Sequence, residues 1–254
     1  MNIWPNLIWR DLSLAITFFT RIPLPVPKSA FSMKLAEAGW AFPIVGLVVG
    51  LIAAAVGQVL LGFGAPSVIV AGAVLLIMVL VTGALHEDGL ADVADGLGGG
   101  HSVERKLEIM RDSSTGAYGV IALVFSLLLR FSLLNLLITS GLVSLWLVLP
   151  LALMTSRAFM LVAMSSPGTH QQGGKSLGAS AGVASSLVAI LWICALAGVF
   201  SLISFIGFVF VAIVGLGARW YFLRHIGGMT GDGYGFIEQV TQIATLVVFA
   251  WVFS

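Results

Sequence analysis

The sequence predicts an all-α fold: a polytopic integral membrane helical bundle of about seven transmembrane helices. To these it adds an N-terminal interfacial helix and an acidic loop or helix on the cytoplasmic side. Three observations predict it. The 254 residues are 59% hydrophobic and only 9% charged, where an ordinary soluble domain carries about 25% charge. Mean hydropathy is +1.09, more apolar surface than so few polar residues can cover in water. The apolar residues fall in runs of about 20, the length that crosses a bilayer. The composition excludes a soluble enzyme and a disordered chain. A net charge of +1 gives no field to steer a polyanion, so no nucleic-acid partner is expected. A single cysteine, Cys194, forms no disulfide within the chain and reads as a core thiol.

In chain order, residues 6–22 form an amphipathic stretch flanked by Arg10, Arg21 and the cluster Pro23, Pro25 and Pro27. This pattern reads as an interfacial helix rather than a span or a cleaved signal peptide. Seven spans follow, at 38–64, 67–85, 117–140, 142–165, 182–199, 201–220 and 235–253, with the boundary between the fifth and sixth poorly marked. One domain covers residues 1–254. Basic residues test the layout. Arg10, Arg21, Lys28, Lys34, Arg105, Lys106, Arg111, Lys175, Arg219 and Arg224 all fall on one side if seven spans are counted. The positive-inside rule makes that side, and the N-terminus, cytoplasmic. Arg130 and Arg157 lie within spans, where a cation must face the bundle interior or water. A structural pair accounts for Arg130. Arg157, nearer the cytoplasmic end, is equally suited to a site.

The acids are concentrated. Seven of eleven, Glu87, Asp88, Asp92, Asp95, Glu104, Glu108 and Asp112, fall between positions 87 and 112. Asp88, Asp92 and Asp95 are spaced i, i+4, i+7, which on a helix is one face. Carboxylates that close repel unless a cation neutralises them, and an oxygen-only donor set suits Mg²⁺ or Mn²⁺. Magnesium completes its shell with water and substrate phosphates. Gly89 and Gly96 would let a ligand approach the backbone. His86 and His101 flank the acids, where either could move a proton. Arg105, Lys106 and Arg111 bring cations beside the acids, either to hold phosphate or as i, i+3 pairs on a helix whose apolar face is Val103, Leu107 and Met110. Asp112, Ser113, Ser114 and Thr115 lead into the third span, where the hydroxyls could cap its N-terminus or admit a phosphate.

A third segment, residues 227–238, holds Gly227, Gly228, Thr230, Gly231, Asp232 and Glu238 just before the last span. It reads as a ligand-cradling loop opening a helix. Asp232 is a candidate metal ligand or catalytic base. Glu238, in the expected first turn, is either a site residue or a partner of the helix dipole. Two tempting patterns fail. Residues 168–176 (GTHQQGGKS) are one residue too long for a P-loop and follow no strand. Gly46 and Gly50 make a GxxxG that reads as helix packing.

These segments together resemble the cobalamin synthase (adenosylcobinamide-GDP ribazoletransferase) family. The likeness lies in His86-x-Asp88-Gly-Leu-Ala-Asp92-x-x-Asp95-Gly96, in Ile109-Met-Arg-Asp-Ser-x-x-Gly-x-Tyr-Gly119, and in Gly227-Gly-x-Thr-Gly-Asp232 with Glu238. Phe19 to Pro25 and Phe42 to Gly46 add to it, so it runs from about residue 10 to 240. Phe236 departs from the pattern, where a smaller residue is expected. The resemblance implies the final step of adenosylcobalamin synthesis in a prokaryotic inner membrane, with the active loops in the cytoplasm. Adenosylcobinamide-GDP would be joined to α-ribazole or its 5′-phosphate, releasing GMP, with Mg²⁺ as cofactor. It further implies Asp88, Asp92 and Asp95 as metal ligands and Asp232 and Arg111 as catalytic. Substrate would be bound by His86, Gly89, Gly96, Arg105, Asp112, Ser113, Arg157, Gly228, Thr230, Gly231 and Glu238. The partners expected are the two substrates and the lipid bilayer. Association with other corrinoid-pathway enzymes, or as a homo-oligomer, stays open. Two other readings are a CDP-alcohol phosphotransferase and a divalent-cation transporter. Against the transporter, no span carries an acid pair at its midplane.

Overall fold

The computed structural model describes residues 4–32, 34–164 and 202–253. The expected span at 182–199, with Lys175, His170, Cys194 and the GTHQQGGKS stretch, lies outside them. Nine α-helices are described: α1 Trp4–Phe19, α2 Phe42–Gly62, α3 Ser67–Thr82, α4 Leu85–Gly99, α5 Val103–Met110, α6 Ala117–Ser140, α7 Leu145–Met164, α8 Leu202–Ile226 and α9 Gly231–Phe253. Short 3₁₀ turns at Lys28–Ser32 and Leu35–Ala41 lead into α2. Five stretches are long and apolar enough to cross a membrane, and six if α3 and α4 together count as one broken span. The protein is an all-helical membrane protein.

Expected and observed spans agree closely for α2, α6 and α7. The second expected span is different. α3 has 16 residues, about 24 Å at 1.5 Å per residue, against a hydrocarbon core of about 30 Å. The chain then bends by 87° into α4. Gly83 (φ 65°) and Ala84 (φ 58°) make that corner in left-handed conformation. For Ala84 this is a strained state, on the order of 1 kcal/mol or more. The Arg21 N–H donates to the Val81 carbonyl at 2.7 Å, fastening the end of α1 to the corner.

α7 is the hub, with most of its surface buried, whereas α6 and α8 present mainly exposed apolar side chains. Gly46 and Gly50 lie against the α7 backbone at Leu153 and Pro150, where a Cβ would collide. The GxxxG is therefore a helix-packing seam. α1 is tied to the 3₁₀ turn before α2: the Trp40 indole N–H donates to Asp11 at 3.0 Å. Phe19 meets Phe42 edge to face at 4.8 Å.

Candidate active site

α4 and α9 cross closely because both carry glycine at the crossing. A Cβ on Gly89 would lie 2.8 Å from the Asp232 carbonyl oxygen, and one on Gly235 would lie 3.2 Å from the His86 carbonyl oxygen. The glycines set helix packing here, and that packing places Asp88 and Asp92 of α4 beside Asp232 of α9. Asp92 is within electrostatic reach of Asp88, Asp232 and Asp95, and Asp232 within reach of Asp88. Among the described residues, no cation forms an ion pair with Asp88, Asp92 or Asp232. Asp88 and Asp232 line a cavity of about 220 Å³ whose apolar wall comes from Phe18 and Phe19 of α1 and Met160 and Met164 of α7. Thr230 sets the start of α9, its hydroxyl accepting the Gly233 N–H at 3.1 Å. Gly227 (φ 82°) makes the preceding turn. Gly228 is buried within it, and Gly231 is exposed as the first residue of α9.

Behind this acidic face lies a buried polar network. Arg130 of α6 donates to Glu87 at 3.0 Å and to Gln242 at 3.1 Å. Arg157 of α7 donates to Glu238 at 3.1 Å, and Ser156 donates to the same oxygen at 2.8 Å. The Gln239 amide bridges the two carboxylates, 3.3 Å from Glu87 and 3.1 Å from Glu238. Its own oxygen accepts from Ser126 at 3.3 Å. His86 stands 3.9 Å from Glu238 and stacks on Phe19. Arg130, Arg157 and Glu238 are each 1% exposed, so Coulomb attraction is weakly screened and unpairing is costly.

The structure redistributes the sequence-based assignments. The acidic segment is no solvated loop but helix α4, packed between α5, α6 and α9. Asp95 is buried, and its two oxygens accept the Gly116 and Gly119 N–H groups at 2.7 and 2.9 Å. It caps α6, a task expected of Ser113 to Thr115. Asp88 and Asp95 are seven residues apart, about 10 Å along a helix, so a shared face does not bring them to one point. Gly96 packs on Met110 of α5. Arg157 serves Glu238 rather than an open phosphate site. α9 begins four residues earlier than expected, so Glu238 lies two turns inside the helix and not at its dipole end. Arg105 is exposed and pairs with Glu108 at 2.7 Å. Arg111 and Ser113 are exposed and do not line the cavity. Asp112 is exposed, and the Ser114 hydroxyl and N–H hold its carboxyl below the usual range.

Glu87, Gln239 and Gln242 escaped the sequence reading as site-supporting residues. Their signal was arithmetic: two cations within spans demand two buried acids. The donor chemistry fits a magnesium ion. Among the described residues no three His, Cys, Asp or Glu side chains form a ready cage. Magnesium, however, commonly takes one or two carboxylates together with water and substrate phosphates, and Asp88 and Asp232 share one cavity.

Fold and site thus define a class: a helical membrane protein whose carboxylates Asp88, Asp92 and Asp232 gather without a paired cation among the described residues. A family model described as cobalamin-5-phosphate synthase matches residues 11–250. Relatives named adenosylcobinamide-GDP ribazoletransferase include one from Mesorhizobium japonicum, 39% identical over 98% of this chain and 95% of its own. Another, from Bradyrhizobium diazoefficiens, is 41% identical over 94% and 93%. A third, from Shewanella piezotolerans, is 37% identical over 91% and 90%. No solved structure matches. The chain belongs to the cobalamin-5-phosphate synthase family and is a transferase.

Proposed function

We propose that the protein joins adenosylcobinamide-GDP to α-ribazole or its 5′-phosphate and releases GMP, the last assembly step of adenosylcobalamin. The observation that carries this is the meeting of Asp88 and Asp232 at one cavity, with Asp92 within electrostatic reach of both, in a chain that matches ribazoletransferases nearly end to end. In the reaction a ribazole hydroxyl oxygen bonds to the phosphorus attached to cobinamide. The bond from that phosphorus to the GMP oxygen breaks, and the hydroxyl proton is lost. Asp88, Asp92 and Asp232 would hold Mg²⁺, which when bound neutralises charge on the diphosphate oxygens. Asp232 is placed either to share the ion or to accept the hydroxyl proton. The close α4–α9 crossing keeps these carboxylates in position, and the apolar cavity wall excludes water from the acceptor.

The membrane is the prokaryotic inner membrane, with the acidic end facing the cytoplasm and α1 lying along the interface. Basic residues support this orientation: Arg21, Arg105, Lys106 and Arg224 sit at helix ends on the acidic side, and Lys106 reaches the His225 carbonyl at the end of α8. Family membership disfavours the CDP-alcohol and transporter readings. The test is GMP release by detergent-purified protein given both substrates, with and without Mg²⁺. Metal-dependent GMP and a new corrinoid product are expected. Turnover of a CDP-alcohol, or no product from folded protein, would overturn the reading.

A further inference from the structure

The cavity beside the acids has a composition that the transfer of phosphate does not by itself require. Phe18 and Phe19 meet edge to face at 4.9 Å. Met160 and Met164 lie i, i+4 on α7 and so share one face. Such a wall of thioethers and rings is suited to a flat apolar ring system. Two side chains on this wall are buried yet carry a polar atom without a partner: His86 Nε2 and Tyr234 Oη. The residues are 2% and 4% exposed. Buried polar atoms without partners are rare in native proteins and mark places where a ligand or water completes the bonding.

Size and polarity choose among the pieces of the two substrates. At about 220 Å³ the cavity is smaller than the roughly 300–1,000 Å³ that hold drug-sized ligands, so a corrin macrocycle stays outside it. A guanine would bring a whole edge of donors and acceptors against phenylalanine and methionine. Each polar group left unpaired there costs about 1–3 kcal/mol. An aromatic base with an apolar edge meets no such penalty. Its sugar would then lie toward Asp88 and Asp232, where the attacking hydroxyl is needed.

Resting on the reaction proposed above, we infer that this cavity is the acceptor-base pocket: it takes the apolar aromatic base of the ribazole nucleoside, with His86 Nε2 and Tyr234 Oη bonding its few polar atoms. α1 is then part of the substrate site through Phe18 and Phe19, and selects the acceptor rather than the donor.

The test is titration calorimetry of α-ribazole alone into full-length protein in detergent, beside the Michaelis constants of both substrates. The proteins are wild type, Phe18→Ala and Tyr234→Phe. Phe18 is partly exposed, so its truncation leaves the fold in place, and Tyr234→Phe keeps the ring volume should the first variant prove unstable. Phe18→Ala is expected to weaken α-ribazole binding roughly tenfold, and Tyr234→Phe roughly fivefold. The KM for adenosylcobinamide-GDP is expected to stay within about twofold, and excess GMP to leave α-ribazole binding unchanged. Unchanged α-ribazole affinity in both variants would overturn the inference, as would a rise confined to the KM of the GDP substrate. Wild type that binds α-ribazole through these residues but releases no GMP would uphold the pocket and sink the reaction. Wild type that releases GMP with both variants unaltered would do the reverse. Wild type with neither property would sink both.

Discussion

Glu87 and Asp88 are neighbours in sequence and opposites in circumstance. A helix turns about 100° per residue, so Glu87 faces the bundle while Asp88 faces the cavity. Glu87 meets Arg130 at 3.0 Å and the Gln239 amide. Asp88 meets no cation among the described residues and adds its charge to those of Asp92 and Asp232. The same division runs along α9, where Glu238 is held by Arg157 and Ser156 and Asp232 is left to its like-charged neighbours. An acid within apolar surroundings needs a counter-charge. Where the protein supplies it, the acid holds helices together. Where the protein withholds it, the magnesium ion proposed above would supply the counter-charge.

The largest expected effect tests the withheld side. Asp92→Asn preserves volume and removes one of three repelling charges. Turnover should fall on the order of a hundredfold or more, because several kcal/mol of charge stabilisation are lost. The thermal midpoint in detergent should hold or rise. GMP release and a melting curve on the same sample decide it, and an active but unstable variant would reverse the two roles. Next comes the supplied side. Arg157→Leu strands Glu238 as a buried unpaired charge and should destabilise by about 3–5 kcal/mol. Adding Glu238→Gln should restore much of that loss, which a double-mutant cycle on denaturant titrations measures. Smaller still is Asp95→Ala. Loss of this cap on α6 should lower stability by about 0.5–2 kcal/mol, with the Mg²⁺ concentration at half activity little changed. A large shift in that concentration would return Asp95 to the metal ligands. The smallest effect is expected at Arg105→Ala. Its exposed pair with Glu108 contributes within about 0.5 kcal/mol, so unchanged melting and turnover would mark that face of α5 as plain surface.

Hydropathy alone placed α6 and the boundaries of α2 and α7 within a few residues, because long apolar runs have few alternative explanations. The spacing of Asp88, Asp92 and Asp95 announced a helix with an acidic face. It could not say that the far end of that face would meet the first N–H groups of α6, since the contact depends on the 87° corner at Ala84. Nor could it say that Arg157 would be taken by Glu238. The two are 81 residues apart, and only the crossing of α7 with α9 makes them neighbours. The legible part of the candidate site was its residue types, carried in short motifs. The illegible part was the choice among acids, settled by long-range packing.

The two buried arginines also differ in when their partners are made. Arg130 finds Glu87 already synthesised, 43 residues behind it in the chain. Arg157 precedes Glu238 by 81 residues, about 4–16 s of translation at 5–20 residues per second. Throughout that interval α7 carries a cation without its carboxylate, at a cost in lipid of up to about 2.5–3.5 kcal/mol. A chain that stops short of α9 would keep Arg157 without its acid, so the ion pair closes only when the chain is nearly finished.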